Sequence, residues 1–377
     1  MANPLDASTP SRSHTSLLWR LFPLGLLPLL AACGDETPRS IFDTNADAAE
    51  ISAWMYNYIF WITVVVMVIV GAIFTYAVFR FRERPDDDGT LPEQVHGNLT
   101  AEIAWTIVPA IIVVAIMVPT VQNIYALDAA PALDKAVSIQ VIGKQWWWEY
   151  DYRTFTGQDT DGHNTYKLDF TTANELHVPA NTPIALELTS ADVIHAFWVP
   201  RLFGKRDATP GRAYPIYFTS PDPGGYIGQC AELCGESHAL MGIKIFVHPT
   251  EGPDSYARWA ENQRKPAEPP TAPLAIQGQQ LFIDKGCVAC HSIRGHERTT
   301  MNPVARSRTT GPELTHVGER TTIAALTLPN TLDNLTRWIH KPAEIKGGAI
   351  MANPKFNPTE VTEEEARAIA TYLIRLK

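Results

Sequence analysis

Cysteine is scarce in this chain: five residues in 377, an odd number. A count that low excludes a fold stapled by disulfides. Positive charge is in deficit too. Lysine and arginine number 31 against 40 aspartates and glutamates, a formal charge of −9. Phosphate contacts need a basic face, so nucleic-acid binding is excluded as the main task. Histidine is missing from both of the chain's long uncharged stretches. What is present is unevenly spread. The mean hydropathy of −0.08 is high for so many charges, so the apolar residues are concentrated in particular segments. The length predicts two or three domains. The five cysteines fall as one single, Cys33, and two close pairs, Cys230 with Cys234 and Cys287 with Cys290. Each group needs its own explanation.

Residues 1–32 carry Arg12 and Arg20, then the apolar run Leu21–Leu30, then Ala31-Ala32-Cys33. A basic start, a short apolar stretch and small residues form a secretory signal, not a spanning helix. Leu30-Ala-Ala-Cys33 resembles the cleavage box of bacterial lipoproteins. That implies a lipid on Cys33 at the outer face of the membrane. An ordinary signal peptide that happens to have a cysteine near its end is the plainer reading.

Trp54–Phe79 and Ile103–Leu127 carry no charged side chain. Each is long enough to cross a bilayer, and buried soluble helices are rarely so uncharged. Tyr56, Tyr58 and Trp61 sit near one end as interfacial aromatics do, and Arg80, Arg82 and Arg84 follow the first run. Short arginine-rich loops stay in the cytoplasm, which places loop 80–102 inside and everything after about residue 128 outside. A lipid on Cys33 requires the same orientation. Glu102 opens the second run. It is either a functional carboxylate near the membrane or a first-turn residue that suits the helix dipole.

Residues 128–248 read as β structure. Ser138–Ile142 and Ile184–Leu188 alternate with period two, and Pro179, Pro183, Pro200, Pro210-Gly211 and Pro223-Gly224-Gly225 punctuate the region. Short strands with such turns predict a sandwich or barrel. Within it lies Cys230-Ala-Glu-Leu-Cys234-Gly-Glu-Ser-His238-Ala-Leu-Met241. Thiolates, imidazole and thioether suit copper, and the methionine argues against a plain zinc site. His195 supplies a second imidazole. Two bridging thiolates then hold two copper ions, with His195 on one and His238 on the other. A Cys230–Cys234 disulfide is the competing reading.

The segment Gly225–Met241 resembles the binuclear copper-A motif of cytochrome c oxidase subunit II. Gly143–Tyr150, Asp192–Pro200, Lys205–Arg212 and the two-helix hairpin are similar to the same family. The resemblance implies a cupredoxin-like β-barrel. It implies His195, Cys230, Glu232 through its backbone carbonyl, Cys234, His238 and Met241 as copper ligands. It also implies a magnesium on the Glu232 side chain at the subunit I interface, electron entry through Trp146, and Glu102 at the mouth of a proton path. Alternation along Trp146, Trp147 and Trp148 puts at least one ring on the outer face, so an exposed aromatic is expected there.

Residues 249–273 hold Pro249, Pro253, Pro266, Pro269, Pro270 and Pro273 and read as a semi-stiff extended tether. A helical stretch, Ile276 to Lys285, then runs into Cys287-Val-Ala-Cys290-His291. C-x-x-C-H is the covalent haem c attachment pattern, with the histidine placed as an axial ligand. A redox dithiol is the alternative. A second axial ligand, often methionine, is needed; Met301 and Met351 are the candidates. Thr362-Glu-Glu-Glu365 opens a last helix with an apolar face at Ala366, Ile369, Ala370, Leu373 and Ile374. Residues 274–377 resemble a small class I cytochrome c, also through Gly311-Pro-Glu-Leu314 and Leu332–Trp338. The resemblance implies an all-α fold, a proline carbonyl that orients the axial histidine, and Met351 as the second ligand. Met351 is followed by alanine where many relatives have proline.

The whole resembles subunit II of the haem-c-fused, caa-type bacterial oxidases. The multidomain order expected is a lipoprotein signal at 1–32, an N-terminal segment and transmembrane hairpin at 33–127, the copper-A domain at 128–248, the linker at 249–273 and the cytochrome c domain at 274–377. The resemblance implies that electrons from an external cytochrome c or equivalent donor enter at haem c and pass to copper A. They go on to subunit I, where oxygen is reduced to water with proton pumping. Neither long apolar run has a histidine to hold that haem, so subunit I and the other oxidase subunits are the partners, beside membrane lipid. The implied location is the bacterial inner membrane, with both metal domains on the periplasmic face. A copper-A subunit of a nitric oxide reductase is one alternative. A membrane-anchored carrier without a fixed catalytic partner is the other. Glu232 and Asp207, which resemble subunit-interface residues, argue against the carrier. Residues 128–248 hold nine Lys and Arg against fourteen Asp and Glu, and residues 274–377 hold thirteen against ten. Opposite signs on tethered domains predict ionic docking, and a transfer that slows as salt rises.

Overall fold

The computed structural model describes residues 37–82, 93–296, 311–353 and 360–377. The signal segment, Cys33, Arg84 and Met301 lie outside the described residues. Two long helices come first, α1 (Asp47–Arg80) and α2 (Leu99–Leu127). Their apolar windows are unburied, with mean hydropathies of 2.6 and 2.3, as surfaces facing lipid or a partner must be. Both helices start before the uncharged runs at 54 and 103. The first turn of α1 packs on protein: Ala46, Ala48 and Ala49 are buried. There the Asp47 carboxylate accepts the Thr219 N–H at 2.8 Å, and the Asn45 N–H donates to Arg201 O at 2.8 Å. The hairpin is therefore bolted to the domain that follows. At the other end α2 caps itself. Asn98 Oδ1 accepts the Ala101 N–H at 3.1 Å and Glu102 Oε1 accepts the Asn98 N–H at 3.2 Å. Such caps satisfy amides that have no intrahelical partner.

The β domain is two five-stranded sheets sharing one core. The first runs β3 (Asn164–Ala173), β2 (Trp147–Gln158), β1 (Val137–Lys144), β5 (Ile184–Ser190), β8 (Tyr214–Phe218). The second runs β4 (Glu175–Pro179), β10 (Gly242–His248), β9 (Gly224–Cys230), β6 (His195–Trp198), β7 (Arg206–Ala208). The β1–β5 and β4–β10 pairs are parallel; the other pairs are antiparallel. The period-two positions point inward: Ile139, Val141, Leu186, Leu188, Ile243 and Ile245 are all 0–1% exposed. The Phe197–Cys230 pairing of β6 with β9 brings the strand that starts at His195 beside the end of β9. The loop leading to β10 therefore closes over one end of the sandwich.

Residues 249–273 are not extended throughout. They carry α3 (Tyr256–Arg264), which lies on the β domain. Trp259 stacks on His177 with ring centroids 4.2 Å apart, and the Arg264 guanidinium makes a two-nitrogen contact with Asp169 at 2.6–3.0 Å. An aromatic anchor and a forked ion pair outweigh the proline-rich flanks.

The last domain packs α4 (Pro273–Asp284), α5 (Leu332–His340), α6 (Pro342–Ile345) and α7 (Glu363–Leu373). Proline opens α4 at its first turn, and Thr362 with Glu365 forms the expected capping box of α7. The α4–α7 crossing is tight at Gly278, where a Cβ would fall 2.0 Å from Ala368 O. One departure from an all-α fold is the short pair β11 (Thr322–Ile323) and β12 (Leu328–Pro329). Between them Ala324, Ala325 and Leu326 turn through the left-handed region, at φ 53°, 57° and 66°.

This hairpin and the loop before Met351 sit on the β domain. The Glu175 carboxylate accepts the Thr321 and Thr322 N–H groups, each at 2.9 Å, and both threonine hydroxyls at 2.6–2.7 Å. The Gly242 N–H donates to Ala325 O at 3.1 Å, and the Ser237 hydroxyl donates to Gly347 O. Lys346 Nζ reaches Trp146 O at 2.6 Å and Leu240 O at 2.8 Å. These contacts pair each charge with neutral groups, not with an opposite charge. Docking by net charge gives way to buried hydrogen bonds, which salt screens far less.

Candidate metal and haem sites

The soft donors converge at the open end of the sandwich. Cys230 and Cys234 Sγ atoms are 3.8 Å apart. His195 Nδ1 lies 4.0 Å from Cys230 Sγ, and His238 Nδ1 lies 3.6 Å from Cys234 Sγ. Met241 Sδ is 3.9 Å from Cys234 Sγ, and Glu232 O is 3.3 Å from Cys230 Sγ. All six expected donors thus surround one small volume, with one imidazole on each thiol. Both cysteines are free. A disulfide needs sulfurs about 2.05 Å apart, so the competing reading does not hold here. Electrostatics ask for cations. Burial works against the Cys230 thiolate, but the His195 ring and the Glu232 and Ala196 backbone outweigh it and bring the thiol down to about 7. Burial and the charge of Cys230 push Cys234 up to about 12. Two thiolates this close are costly until metal neutralises them, and this donor chemistry fits copper.

Neighbours orient the donors. Asp192 Oδ1 sits 2.8 Å from His195 Nε2, which turns Nδ1 toward the sulfurs as a carboxylate behind a metal histidine does. Asp192 also accepts the Gln145 N–H at 2.7 Å. Gln145 Nε2 and Trp146 Nε1 both donate to Cys234 O, at 2.7 and 3.1 Å. Glu232 and Leu233 point outward, Leu233 being 79% exposed. Asp207 is exposed as well. Sequence reasoning missed Asp192 and Gln145. An acid three residues before a candidate ligand was the available signal for Asp192.

The tryptophan expectation is corrected. Trp146, Trp147 and Trp148 are 9%, 7% and 0% exposed. Trp148 packs edge-on to His195 and Phe197, as strand packing requires. The outer two are covered by the last domain: Ala325 packs on Trp147, and the Lys346–Ala349 loop lies on Trp146. Gly348 permits that approach, since a Cβ there would fall 2.8 Å from the Trp146 ring.

Beneath this loop opens a large, mainly apolar cleft. Cys287, Cys290, His291, Phe282, Trp338 and Met351 line it, and so do Trp146 and Trp147 across the domain boundary. Gly286, at φ 77°, ends α4 and starts the turn that bears the cysteine pair. His291 Nδ1 is 2.8 Å from Pro312 O, so Nε2 is the nitrogen left for the cleft. Gly311 makes room for that ring: its Cβ would fall 2.6 Å from His291 Cε1. Burial holds the His291 pKa below the ordinary 6.5 despite the Pro312 carbonyl, so the ring is neutral, as a ligand must be. Burial also pushes the Cys287 thiol up to about 11. A cleft with two thiols on one wall, a neutral imidazole and a thioether fits a covalently held haem. Glu102, by contrast, lies in the first turn of α2, where its carboxylate accepts the Asn98 N–H.

Residues 41–122 match the family described as cytochrome c oxidase subunit II, transmembrane domain. Residues 137–247 match its periplasmic domain, and residues 275–377 match cytochrome c. The cytochrome c match implies haem, and the periplasmic-domain match implies copper A. A cytochrome c oxidase subunit 2 of Alkalihalophilus pseudofirmus is 36% identical over 366 residues, covering 95% of this chain and 97% of that one. The corresponding protein of Bacillus subtilis is 31% identical, covering 95% and 98%. The crystal structure of the periplasmic domain of subunit II of cytochrome oxidase from Bradyrhizobium japonicum is 34% identical. It covers 36% of this chain and 97% of that one, at a TM-score of 0.28. With two apolar helices, a cupredoxin-like sandwich and a helical cytochrome c region in one chain, the protein belongs to the cytochrome c oxidase subunit II family: a membrane-anchored, electron-transferring subunit of a haem-copper oxidase.

Proposed function

We propose that this subunit receives electrons at a haem c in the last domain and relays them through a binuclear copper A to subunit I. There oxygen is reduced to water with proton pumping. Bound haem and copper supply one-electron storage; the chain supplies ligands, spacing and dryness. Cys287 and Cys290 would attach the haem covalently, and His291 and Met351 would hold its iron. His195, Cys230, Glu232 O, Cys234, His238 and Met241 are the copper ligands. The exposed Glu232 side chain, beside the exposed Leu233, is offered to a magnesium and to subunit I. Glu102 marks the cytoplasmic mouth of a proton path. Cys33, after cleavage of residues 1–32, carries lipid in the bacterial inner membrane, and an external cytochrome c or equivalent is the donor.

The observation that carries the relay is Trp146. Its ring lines the haem cleft while its Nε1–H donates to the carbonyl of Cys234. One side chain therefore touches both sites. A soluble donor cannot reach that ring past the last domain, so it must deliver to the haem domain instead. The test is purification of the full chain in mild detergent. Expected are a c-type haem band, the mixed-valence dicopper signal and a co-purifying large haem-copper subunit. Isolation of the chain alone, or loss of either signal, overturns the reading.

A further inference from the structure

A buried lysine is expensive unless its charge finds partners. Lys346 is 3% exposed, and burial brings its pKa down to about 7, but three carbonyl acceptors favour the ammonium, which has three protons to place. The structure places all three on main-chain oxygens: Trp146 O at 2.6 Å, Leu240 O at 2.8 Å and Ala324 O at 3.1 Å. Only the last of these belongs to the haem domain. The other two lie in the β domain, at telling positions. Trp146 is the residue that touches both sites. Leu240 immediately precedes Met241, a member of the copper donor set.

The lysine's own surroundings point the same way. It lines the haem cleft and starts the loop that leads to Met351. Gly347 and Gly348 follow it, where a Cβ would fall 2.5 Å and 2.6 Å from the Glu236 carboxylate oxygens and, at Gly348, 2.8 Å from the Trp146 ring. A side chain at Gly348 would press on the buried Trp146 ring and lift the loop off the β domain. The Ser237 hydroxyl, inside the copper loop, donates to Gly347 O. One ammonium therefore ties together the Met351 loop, the Trp146 backbone and the segment that delivers Met241.

We infer that Lys346 is a positioning residue for electron transfer between the haem and copper domains. It fixes the haem-domain loop in register on the copper domain. The haem domain needs only one of its three bonds, so its fold does not explain the other two. This inference rests on the relay proposed above.

The test uses the intact oxidase in detergent, with a photoactivated ruthenium complex as the electron source and optical detection of haem c and copper A. Lys346→Met keeps the length and burial of the side chain but removes its donors. The expected result is normal haem and copper content and unchanged reduction of the haem by the ruthenium complex, with the rates compared at equal driving force after both midpoint potentials are measured. The haem-to-copper step alone slows, by about tenfold, the drop in docked population that a loss of about 1.4 kcal/mol of cross-domain hydrogen bonding represents. Lys346→Gln, which keeps an N–H donor, recovers part of the rate. An unaltered rate in a fully loaded Lys346→Met enzyme overturns the inference and leaves the relay standing. Loss of haem or copper from both variants also overturns it, because the residue is then needed for assembly. A wild-type enzyme without haem c or copper A would instead remove the relay itself.

Discussion

The two candidate sites are built in opposite ways. The candidate copper donors come from one strand start and one twelve-residue segment. They already stand 3.3–4.0 Å from one another, with Asp192 and Gln145 holding them from behind. The candidate haem cleft is an opening whose candidate ligands lie on separate walls, and part of one wall belongs to the other domain. A compact ion cluster needs donors close together and rigid. A large flat prosthetic group needs space, two thiols for attachment and apolar cover. The thiols show the difference. His195 draws Cys230 down to about 7, toward the thiolate a metal needs. Burial leaves Cys287 at about 11, as suits a sulfur destined for a thioether.

If the copper site is self-contained, Cys234→Ser should abolish the mixed-valence dicopper signal while the c-type haem band keeps its full intensity. Loss of both on one substitution would break the comparison, because the cleft would then depend on the copper loop. The converse disturbance is Gly278→Ala. Its Cβ would fall 2.0 Å from a backbone carbonyl, and overpacking of this kind costs about 1–3 kcal/mol. Thermal melts followed at the haem band should shift down, with the dicopper signal melting as before. A coincident shift of both would mean that the domains unfold as one unit.

The smallest effect is expected from acid. His177 is held well below 6.5 by burial and then by its neighbour His248, whose Nε2 lies 2.7 Å away. Above pH 6.5 the folded and unfolded chains are both neutral at this position. Below it the unfolded chain takes up a proton that the folded chain refuses, so β-domain stability falls as pH drops. The slope is at most about 1.4 kcal/mol per pH unit for each histidine. Melts of the dicopper signal between neutral pH and about 5.5 should show it. His177→Phe, which preserves the stack on Trp259, should flatten it. An unchanged slope would place the acid sensitivity elsewhere.

Much was legible before any fold was known because some chemistry is local. Cys230, Cys234, His238 and Met241 lie within one turn-rich segment, and Cys287, Cys290 and His291 within another. The spacing alone brings their donors near one another. The capping box at Thr362 and Glu365 is local in the same sense. His195, thirty-five residues from Cys230, was singled out only because the ligand set called for a second imidazole, and the β6–β9 pairing supplies the reason it lies close. Less legible were contacts across long separations. Alternation along Trp146–Trp148 predicted an exposed ring, because a strand rule cannot see a second domain settling on its outer face. The prolines of 249–273 predicted an extended tether, because composition does not register one tryptophan stacking on His177. Net charge predicted ionic docking, because a sum of charges does not reveal that Glu175 and Lys346 spend theirs on amides, hydroxyls and carbonyls.

By itself the sequence determined the parts: two uncharged runs long enough to span a membrane, a soft-ligand set suited to copper, and a haem attachment pattern, in that order along the chain. Those follow from residue type and short-range spacing. Tertiary structure alone decided how the parts meet. It laid Trp146 between the two sites, buried it under the Lys346 loop, and gave that ammonium one carbonyl from its own domain and two from the other. Such contacts depend on where distant segments come to rest, and no local rule carries that information.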